Sequence, residues 1–100
     1  MWNKNKLTRK QKIDFIQLLG DLLVNGFSLQ QALAFFINAN LFSHVILEVL
    51  QQDLQQGKSL AKSFSVLQYS NDQILQIELA ESHGDLAQTL LGIAQQMRLV

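Results

Sequence analysis

Three acidic residues in the last third of the chain have a spacing that could hold a hard cation or a charged partner. On a helix, which turns about 100° per residue, Glu78, Glu81 and, if the helix continues that far, Asp85 project within about 60° of one another. Hard cations such as Ca²⁺ take oxygen ligands, and a buried carboxylate without a partner is costly. Three alternatives follow for this acidic stripe: it is solvated, it pairs with Lys or Arg of this or another chain, or it binds Ca²⁺.

The other residue types that carry chemistry do not form a catalytic pattern. His44 and His83 are the two histidines, and neither belongs to an HxxxH or HExxH arrangement. His44 follows a predicted N-cap, and His83 precedes a hinge glycine, where a protonated imidazole suits the end of a helix. No GxGxxG or GxxxxGK[ST] motif is present, and the serines fall mostly at predicted helix caps rather than in a recognisable nucleophile–base arrangement. We therefore predict a protein that is not an enzyme and that has no cofactor, with Ca²⁺ at the acidic stripe as the one exception.

The composition excludes further classes of protein. The 100 residues include no Cys and no Pro, and 48% of them are apolar. Without Cys there is no disulfide scaffold and no thiol-based metal or redox site, and this apolar content without a charge excess argues against disorder. No run of about 20 apolar residues could span a membrane, and no export signal follows the basic start. We expect one compact, soluble domain that was not exported.

The net charge of zero divides into a basic start and an acidic body. Eight basic residues balance eight acidic ones, but five of the basic residues fall in the first twelve positions, where there is no acid. We therefore divide the chain into a basic N-terminal arm, 1–12, and a single helical domain, 13–100. The arm is either solvated or contacts an anionic membrane surface or an acidic partner. The residues that would make this contact are Lys4, Lys6, Arg9, Lys10 and Lys12.

Apolar residues recur with the period of an α-helix along the whole chain. The first apolar face, spaced i, i+3, i+4, i+7 and i+8, consists of Phe15, Leu18, Leu19, Leu22 and Leu23. The same spacing begins again at Leu29 and Phe42, and from Ala87 it runs through Leu90, Leu91 and Ala94 to Met97. Alternation with a period of two is absent over any useful length, which argues against strands. The pattern predicts an all-α fold, an antiparallel six-helix bundle built of three helical hairpins.

A short repeat marks the turns between the predicted helices. Gly26-Phe27-Ser28-Leu29 recurs 31 residues later as Gly57-Lys58-Ser59-Leu60, and Gly84-Asp85-Leu86 is a looser echo. In this pattern the glycine ends one helix in a left-handed conformation, and the serine caps the next helix. The predicted structural hinges are therefore Gly26, Ser28, Gly57, Ser59 and Gly84.

Other capping residues predict the remaining helix starts. Thr8 with Gln11 has the spacing of a capping box, as Ser28 has with Gln31. Inside helices, Gly20 and Gly92 are expected to let a neighbouring helix approach closely. The further predicted N-caps are Ser43, Ser59, Asn71 or Asp72, and Asp85 with Gln88.

The order and spacing of three motifs resemble the type II secretion system protein F family. Residues 15–33, FIQLLGDLLVNGFSLQQAL, are similar to the family's opening, F-x-x-x-L-x-x-L-L-x-x-G-x-x-L-x-x-A-L. Residues 56–60, QGKSL, are similar to its central G-x-S-L turn, and residues 79–86, LAESHGDL, to its G-E-x-S-G-x-L motif. The chain departs from the last motif at Ala80 and His83, which stand in place of Gly and Ser, and together the motifs cover about residues 13–97.

The resemblance implies a cytoplasmic domain of a polytopic inner-membrane platform protein. Such proteins carry two related six-helix domains and couple an assembly ATPase to insertion of pilin or pseudopilin subunits. The resemblance is greatest to the competence-pilus branch, whose pilus supports DNA uptake. It also implies a homodimer, divalent-cation binding in some members, a place at the cytoplasmic face of the membrane, and no direct contact with nucleic acid.

Two surfaces are predicted to meet partners if the resemblance holds. One is the hinge with the acidic stripe, at Glu81, Gly84 and Asp85, and the other is the basic arm, facing lipid phosphates. The alternative, from another class, is a small helical DNA-binding or regulatory domain whose basic arm touches phosphates. Against it, no predicted recognition helix carries clustered Arg, Lys or Asn.

Overall fold

The chain folds into six helices joined by short turns. The computed structural model describes residues 6–99, and this range contains no strand. The predicted all-α fold, a bundle of six helices, is confirmed. In chain order the helices are α1 Arg9–Val24, α2 Leu29–Asn38, α3 His44–Gln55, α4 Leu60–Val66, α5 Asn71–His83 and α6 Leu86–Arg98.

Side-chain caps start five of the helices. The capping boxes of Thr8 with Gln11 and Ser28 with Gln31 are confirmed, and the hydroxyls of Ser43 and Ser59 accept a backbone N–H as predicted; Ser59 accepts from Lys62. These caps follow from local chemistry, because each hydroxyl reaches a backbone N–H only three residues ahead.

One predicted cap is wrong, and another has its predicted position but makes no side-chain bond. Ser70, not Asn71 or Asp72, caps α5: it lies in the extended conformation and its hydroxyl accepts from the N–H of Gln73, whose side chain bonds back to Ser70. Asp85 occupies the N-cap position of α6 but makes no side-chain cap hydrogen bond there. Its backbone, with φ −112° and ψ 35°, lies outside the extended region that aims an N-cap side chain at the first turn.

Four helices end in the same Schellman-type turn. In each, one residue adopts a left-handed conformation and the next residue donates its N–H to a carbonyl oxygen five residues back, as Phe27 does to Leu22. The left-handed position is glycine after α1 and α3, at Gly26 and Gly57, which is the conformation that the turn repeat predicts there. It is Asn40 after α2 and Gln68 after α4, two turns that the glycine pattern did not predict.

The first and last helices pack against each other in antiparallel orientation. Arg9, at the start of α1, donates to the carbonyl oxygen of Met97 near the end of α6. Gly20, near the other end of α1, is buried against Leu91 and Ala87, so that a Cβ there would lie 2.9 Å from the Leu91 Cγ. The prediction for Gly20 is confirmed. That for Gly92 is wrong, because Gly92 is exposed and has nothing within 4 Å of its Cβ position.

Aromatic rings join α1, α2 and α4 at the centre of the domain. Phe15 of α1 is fully buried, and its ring centroid lies 5.5 Å from that of Phe36 in α2, 5.2 Å from Phe42 and 5.9 Å from Phe64 in α4. Phe64 in turn stacks on Tyr69 at 4.7 Å. Offset and edge-to-face pairs at these distances stabilise a core beyond their buried area.

Across residues 6–99, every helix is too short or too polar to serve as a membrane span.

Candidate functional site

The acidic stripe contributes its central residue to the start of a neighbouring helix. One Glu81 carboxylate oxygen accepts the N–H of Leu60 at 2.8 Å, and the other accepts the N–H of Ala61 at 3.1 Å. Leu60 and Ala61 are the first two residues of α4, and both are buried. The first N–H groups of a helix have no partner inside it, and Ser59 satisfies the third. Glu81 and Ser59 together therefore complete the N-terminus of α4, where the helix dipole also favours a negative charge.

The other two members of the stripe lie in different surroundings. Glu78 is exposed, and its side chain makes no hydrogen bond or ion pair within residues 6–99. Asp85 is exposed beyond the left-handed turn at Gly84, which ends α5 as predicted. In the part of the chain that the structure describes, no three His, Asp or Glu side chains converge on a point that could hold a metal ion. Ca²⁺ binding at Glu78, Glu81 and Asp85 stays a prediction, and it requires Glu81 to leave or share its bonds with α4.

The hinge predicted to meet a partner is accessible. Gly84 has a φ of 80° and donates its N–H to the Ala80 carbonyl oxygen at 2.8 Å, and both Gly84 and Asp85 are exposed. The two histidines are exposed at helix ends as expected, His44 in the first turn of α3 and His83 in the last turn of α5.

The basic start of the chain is partly built into the fold. Lys4 lies outside the described residues, and Lys6 is exposed. Helix α1 begins at Arg9, so its first turn contains three residues of the predicted arm, Arg9, Lys10 and Lys12. Lys10 pairs with Asp14 at 2.8 Å along the exposed face of α1.

Lys12 joins α1 to the turn between α4 and α5. Its ammonium donates to the carbonyl oxygen of Gln68 at 2.8 Å and lies 5.7 Å from the centroid of the Tyr69 ring. The Tyr69 hydroxyl donates to the carbonyl oxygen of Lys12 at 2.8 Å, and burial raises the pKa of the Tyr69 phenol. This reciprocal link was not predicted, because residues 56 and 57 positions apart meet only through the packing of α1 on that turn.

A groove between α3 and α4 was also not predicted. It encloses about 180 Å³ and opens to solvent between two half-exposed valines, Val49 and Val66. At one end, Asp53 accepts a hydrogen bond from the Ser63 hydroxyl at 3.3 Å and pairs with Lys58 at 3.5 Å. The sequence carries no signal for it, because the groove exists only where α3 and α4 lie side by side. The residues that line the groove are Ile46, Val49, Leu50, Asp53, Ser63, Val66 and Leu67.

Comparison with known proteins agrees with the motifs. No curated protein matches the sequence. Residues 15–99 match the family model described as "Type II secretion system (T2SS), protein F". The match covers the three motifs at residues 15–33, 56–60 and 79–86 and all of α2 to α6, and this chain therefore belongs to the type II secretion system protein F family.

Proposed function

We propose that this chain is a cytoplasmic domain of an inner-membrane platform protein that scaffolds assembly of a type II secretion pseudopilus or a type IV pilus. The observation that carries the proposal is the family match, which covers 85 of the 100 residues as one continuous segment. The proposed role is to bind other proteins rather than to catalyse a reaction. Its proposed location is the cytoplasmic face of the cell membrane.

The proposed partners are the assembly ATPase and pilin or pseudopilin subunits. The outer face of α5 supports a role in protein contacts, because Leu75 and Leu79 lie one turn apart and are 52% and 53% exposed. Glu78 is exposed beside them, so the surface combines apolar area with negative charge. Exposed apolar area rimmed by polar residues is typical of protein interaction sites. We propose this face, with the neighbouring hinge at Gly84 and Asp85, as one partner surface.

Within the family we propose the competence branch. The sequence Leu-Gly-Asp-Leu-Leu at 19–23, the Gly-Phe-Ser-Leu turn at 26–29 and the Gln-rich, Cys-free composition resemble the competence protein ComGB most. The corresponding pilus would support DNA uptake, and the domain would pair as a homodimer. Direct binding of nucleic acid is not part of the proposal.

Crosslinking in cells tests the scaffold role. A photoreactive amino acid at Leu79 in the full-length membrane protein should give adducts with the assembly ATPase or a pilin, whereas the same group at Gln30, exposed on α2, serves as the matched control position. The proposal is contradicted if positions on the exposed faces of all six helices, in protein correctly inserted in the membrane, give no adduct with any of these components.

The encoding gene gives a second test. The proposal requires a run of about 20 apolar residues after position 100 and a second copy of the Gly-Ser-Leu pattern further along. The DNA-binding alternative predicts salt-dependent binding to duplex DNA. Two cations of the arm, Arg9 and Lys12, already donate to backbone carbonyl oxygens of this chain.

A further inference from the structure

We propose that the groove between α3 and α4 is a docking site for a lysine or arginine side chain presented by a helix of a partner protein. The inference deepens the proposed function, because it gives the chemistry of a partner that a scaffold of this kind would bind. It rests on the proposed function only for the identity of that partner. The groove itself is a property of the chain's own residues.

The walls of the groove suit an aliphatic stem. Ile46 and Leu50 of α3 and Leu67 after α4 are buried behind it, while Val49 and Val66 form its rim and are 46% and 64% exposed. Lysine and arginine side chains bury their methylene groups along such apolar surfaces while they keep the charged head in a polar place.

The polar end of the groove suits the head of that side chain. Asp53 lies in the last part of α3 and meets Ser63 of α4, so a carboxylate and a hydroxyl stand together where the apolar walls end. The Asp53 side chain is only 19% exposed. A carboxylate so placed offers an incoming ammonium or guanidinium group a charged acceptor that is partly shielded from water.

The present contacts of Asp53 leave it able to accept more. The Lys58 ammonium lies 3.5 Å away, beyond the roughly 2.7–2.9 Å of a strong charge-assisted hydrogen bond. The Ser63 hydroxyl lies 3.3 Å away, longer than the usual O–H···O distance of about 2.7–2.8 Å. A carboxylate has about four acceptor sites, and Lys58 is 42% exposed and can move into water. An incoming cation can therefore share Asp53 with Lys58 or replace it at little cost.

The size of the groove and the valines around it favour a side chain on a helix over a free small molecule. A cavity of about 180 Å³ is smaller than the roughly 300–1,000 Å³ typical of small-molecule sites. Val45 lies one helical turn before Val49 and is also half-exposed. A partner helix whose basic residue enters the groove could cover Val45 and Val66 with apolar residues three or four positions away on the same face.

An NMR titration with lysine-like fragments tests the inference. The probe is n-butylammonium, which carries the four-carbon stem and the charged head of lysine, and the matched apolar probe is n-butanol. Added to the ¹⁵N-labelled chain, n-butylammonium should shift the backbone amides of Val49, Asp53 and Val66 and bind about threefold more tightly than n-butanol, the preference expected from one partly exposed ion pair. Equal affinities, or shifts confined to other residues, would overturn the inference.

Variants separate the role of the carboxylate from a general charge effect. Asp53→Asn keeps an oxygen acceptor for Ser63 and should abolish the preference for the cation. Lys58→Ala removes the competing ammonium and should widen the preference, whereas Lys62→Ala removes a nearby exposed lysine and should leave it unchanged. A preference that survives Asp53→Asn, or that changes equally in both lysine variants, contradicts the proposal. If Asp53→Asn does not fold, the comparison of the two lysine variants decides.

The two proposals fail independently. Absence of crosslinks to pilus components would remove the proposed function and leave the fragment result standing. Absence of a cation preference would remove the docking site and leave the scaffold role standing.

Discussion

Glu81 holds the first residue of α4 from a different helix: its carboxylate accepts the N–H of Leu60 at 2.8 Å across 21 positions of sequence. The residue that the acidic stripe suggested as a cation ligand therefore also caps, together with Ser59, the N-terminus of the seven-residue helix α4, whose first two residues are buried. So short a helix depends on tertiary contacts for its stability, which makes Glu81 a structural residue whatever else it binds.

Replacing Glu81 should destabilise the domain. We expect Glu81→Gln, which keeps one oxygen acceptor, to lower the free energy of unfolding by about 1 kcal/mol, and Glu81→Ala, which leaves the N–H groups of Leu60 and Ala61 without an acceptor, to lower it by about 2 kcal/mol. Urea denaturation followed by circular dichroism measures both. Glu78→Ala, on the exposed side of the same helix, is the control and should change it by less than about 0.5 kcal/mol; an equal loss in Glu78→Ala would contradict the capping role.

The same variants test the predicted cation. If Ca²⁺ binds the folded chain at the stripe, added Ca²⁺ should raise the melting temperature by mass action, and Glu78→Ala and Glu81→Gln should both reduce this rise. Unchanged melting in millimolar Ca²⁺ would exclude the predicted site.

Two glycines should respond in opposite directions to the same substitution. Gly20→Ala places a Cβ 2.9 Å from the Leu91 side chain and 3.3 Å from the Ala87 carbonyl oxygen, so the Leu91 side chain or the helix α6 must shift. Overpacking of this kind costs about 1–3 kcal/mol, more than the roughly 1 kcal/mol that alanine gains over glycine in a helix. Gly92→Ala meets no atom within 4 Å and should stabilise by up to about 1 kcal/mol. Thermal unfolding of the two variants checks the signs, and stabilisation by Gly20→Ala would show that the helices have room to spare.

The turn after α4 should tolerate glycine better than the native residue. Gln68 adopts a φ of 67°, a left-handed conformation that costs a residue with a Cβ about 1–2 kcal/mol. Gln68→Gly should therefore raise the free energy of unfolding by about 1 kcal/mol, since Lys12 bonds to the backbone carbonyl oxygen of residue 68, which glycine retains. Gln95→Gly inside α6 is the control and should lower it by about 1 kcal/mol. Chemical denaturation compares the two, and a loss at both positions would mean that the Gln68 side chain contributes more than its backbone strain costs.

Stability should fall in alkaline solution because of Tyr69. Burial raises the pKa of this phenol above its usual value of about 10, so above that pH the unfolded chain releases a proton that the folded chain keeps. The unfolded state then binds fewer protons, and the free energy of unfolding decreases as pH rises. The contribution is fully present below about pH 10 and is lost progressively above it.

Tyr69→Phe isolates this contribution from that of the lysines. We expect the variant to lose about 1 kcal/mol at neutral pH, because the hydrogen bond to the Lys12 carbonyl oxygen is gone, but to show a shallower decline above about pH 10. The chain contains one tyrosine, so the absorbance of tyrosinate reports this residue alone and should rise together with unfolding. Tyrosinate formation near pH 10 in the folded chain would contradict the raised pKa of Tyr69.

Much of the local structure could be predicted from the sequence. The capping boxes at Thr8 and Ser28 and the left-handed turns at Gly26, Gly57 and Gly84 are confirmed. Each depends on a side chain and a backbone group within a few residues of each other, or on the freedom of glycine to adopt a positive φ. Asn40, Phe42 and Gln68 are exceptions, because they adopt a positive φ without being glycine. At Asn40 and Gln68 the turn is closed by the next residue, Leu41 or Tyr69, whose N–H bonds to a carbonyl oxygen five residues back.

The sequence by itself determined the all-α fold, most helix ends and the family, since periodicity, caps and motif order are properties of neighbouring residues. Only the tertiary structure decided that Glu81 caps α4 and that Asp53 lies at the end of an apolar groove. It also decided that Lys12 donates to the Gln68 carbonyl oxygen while Tyr69 donates to that of Lys12. The physical reason is that helical periodicity tells which face of a helix is apolar but not which other face it meets. Those pairings follow from how six amphipathic helices together bury their apolar faces, and the polar contacts that could bind a partner arise where the helices meet.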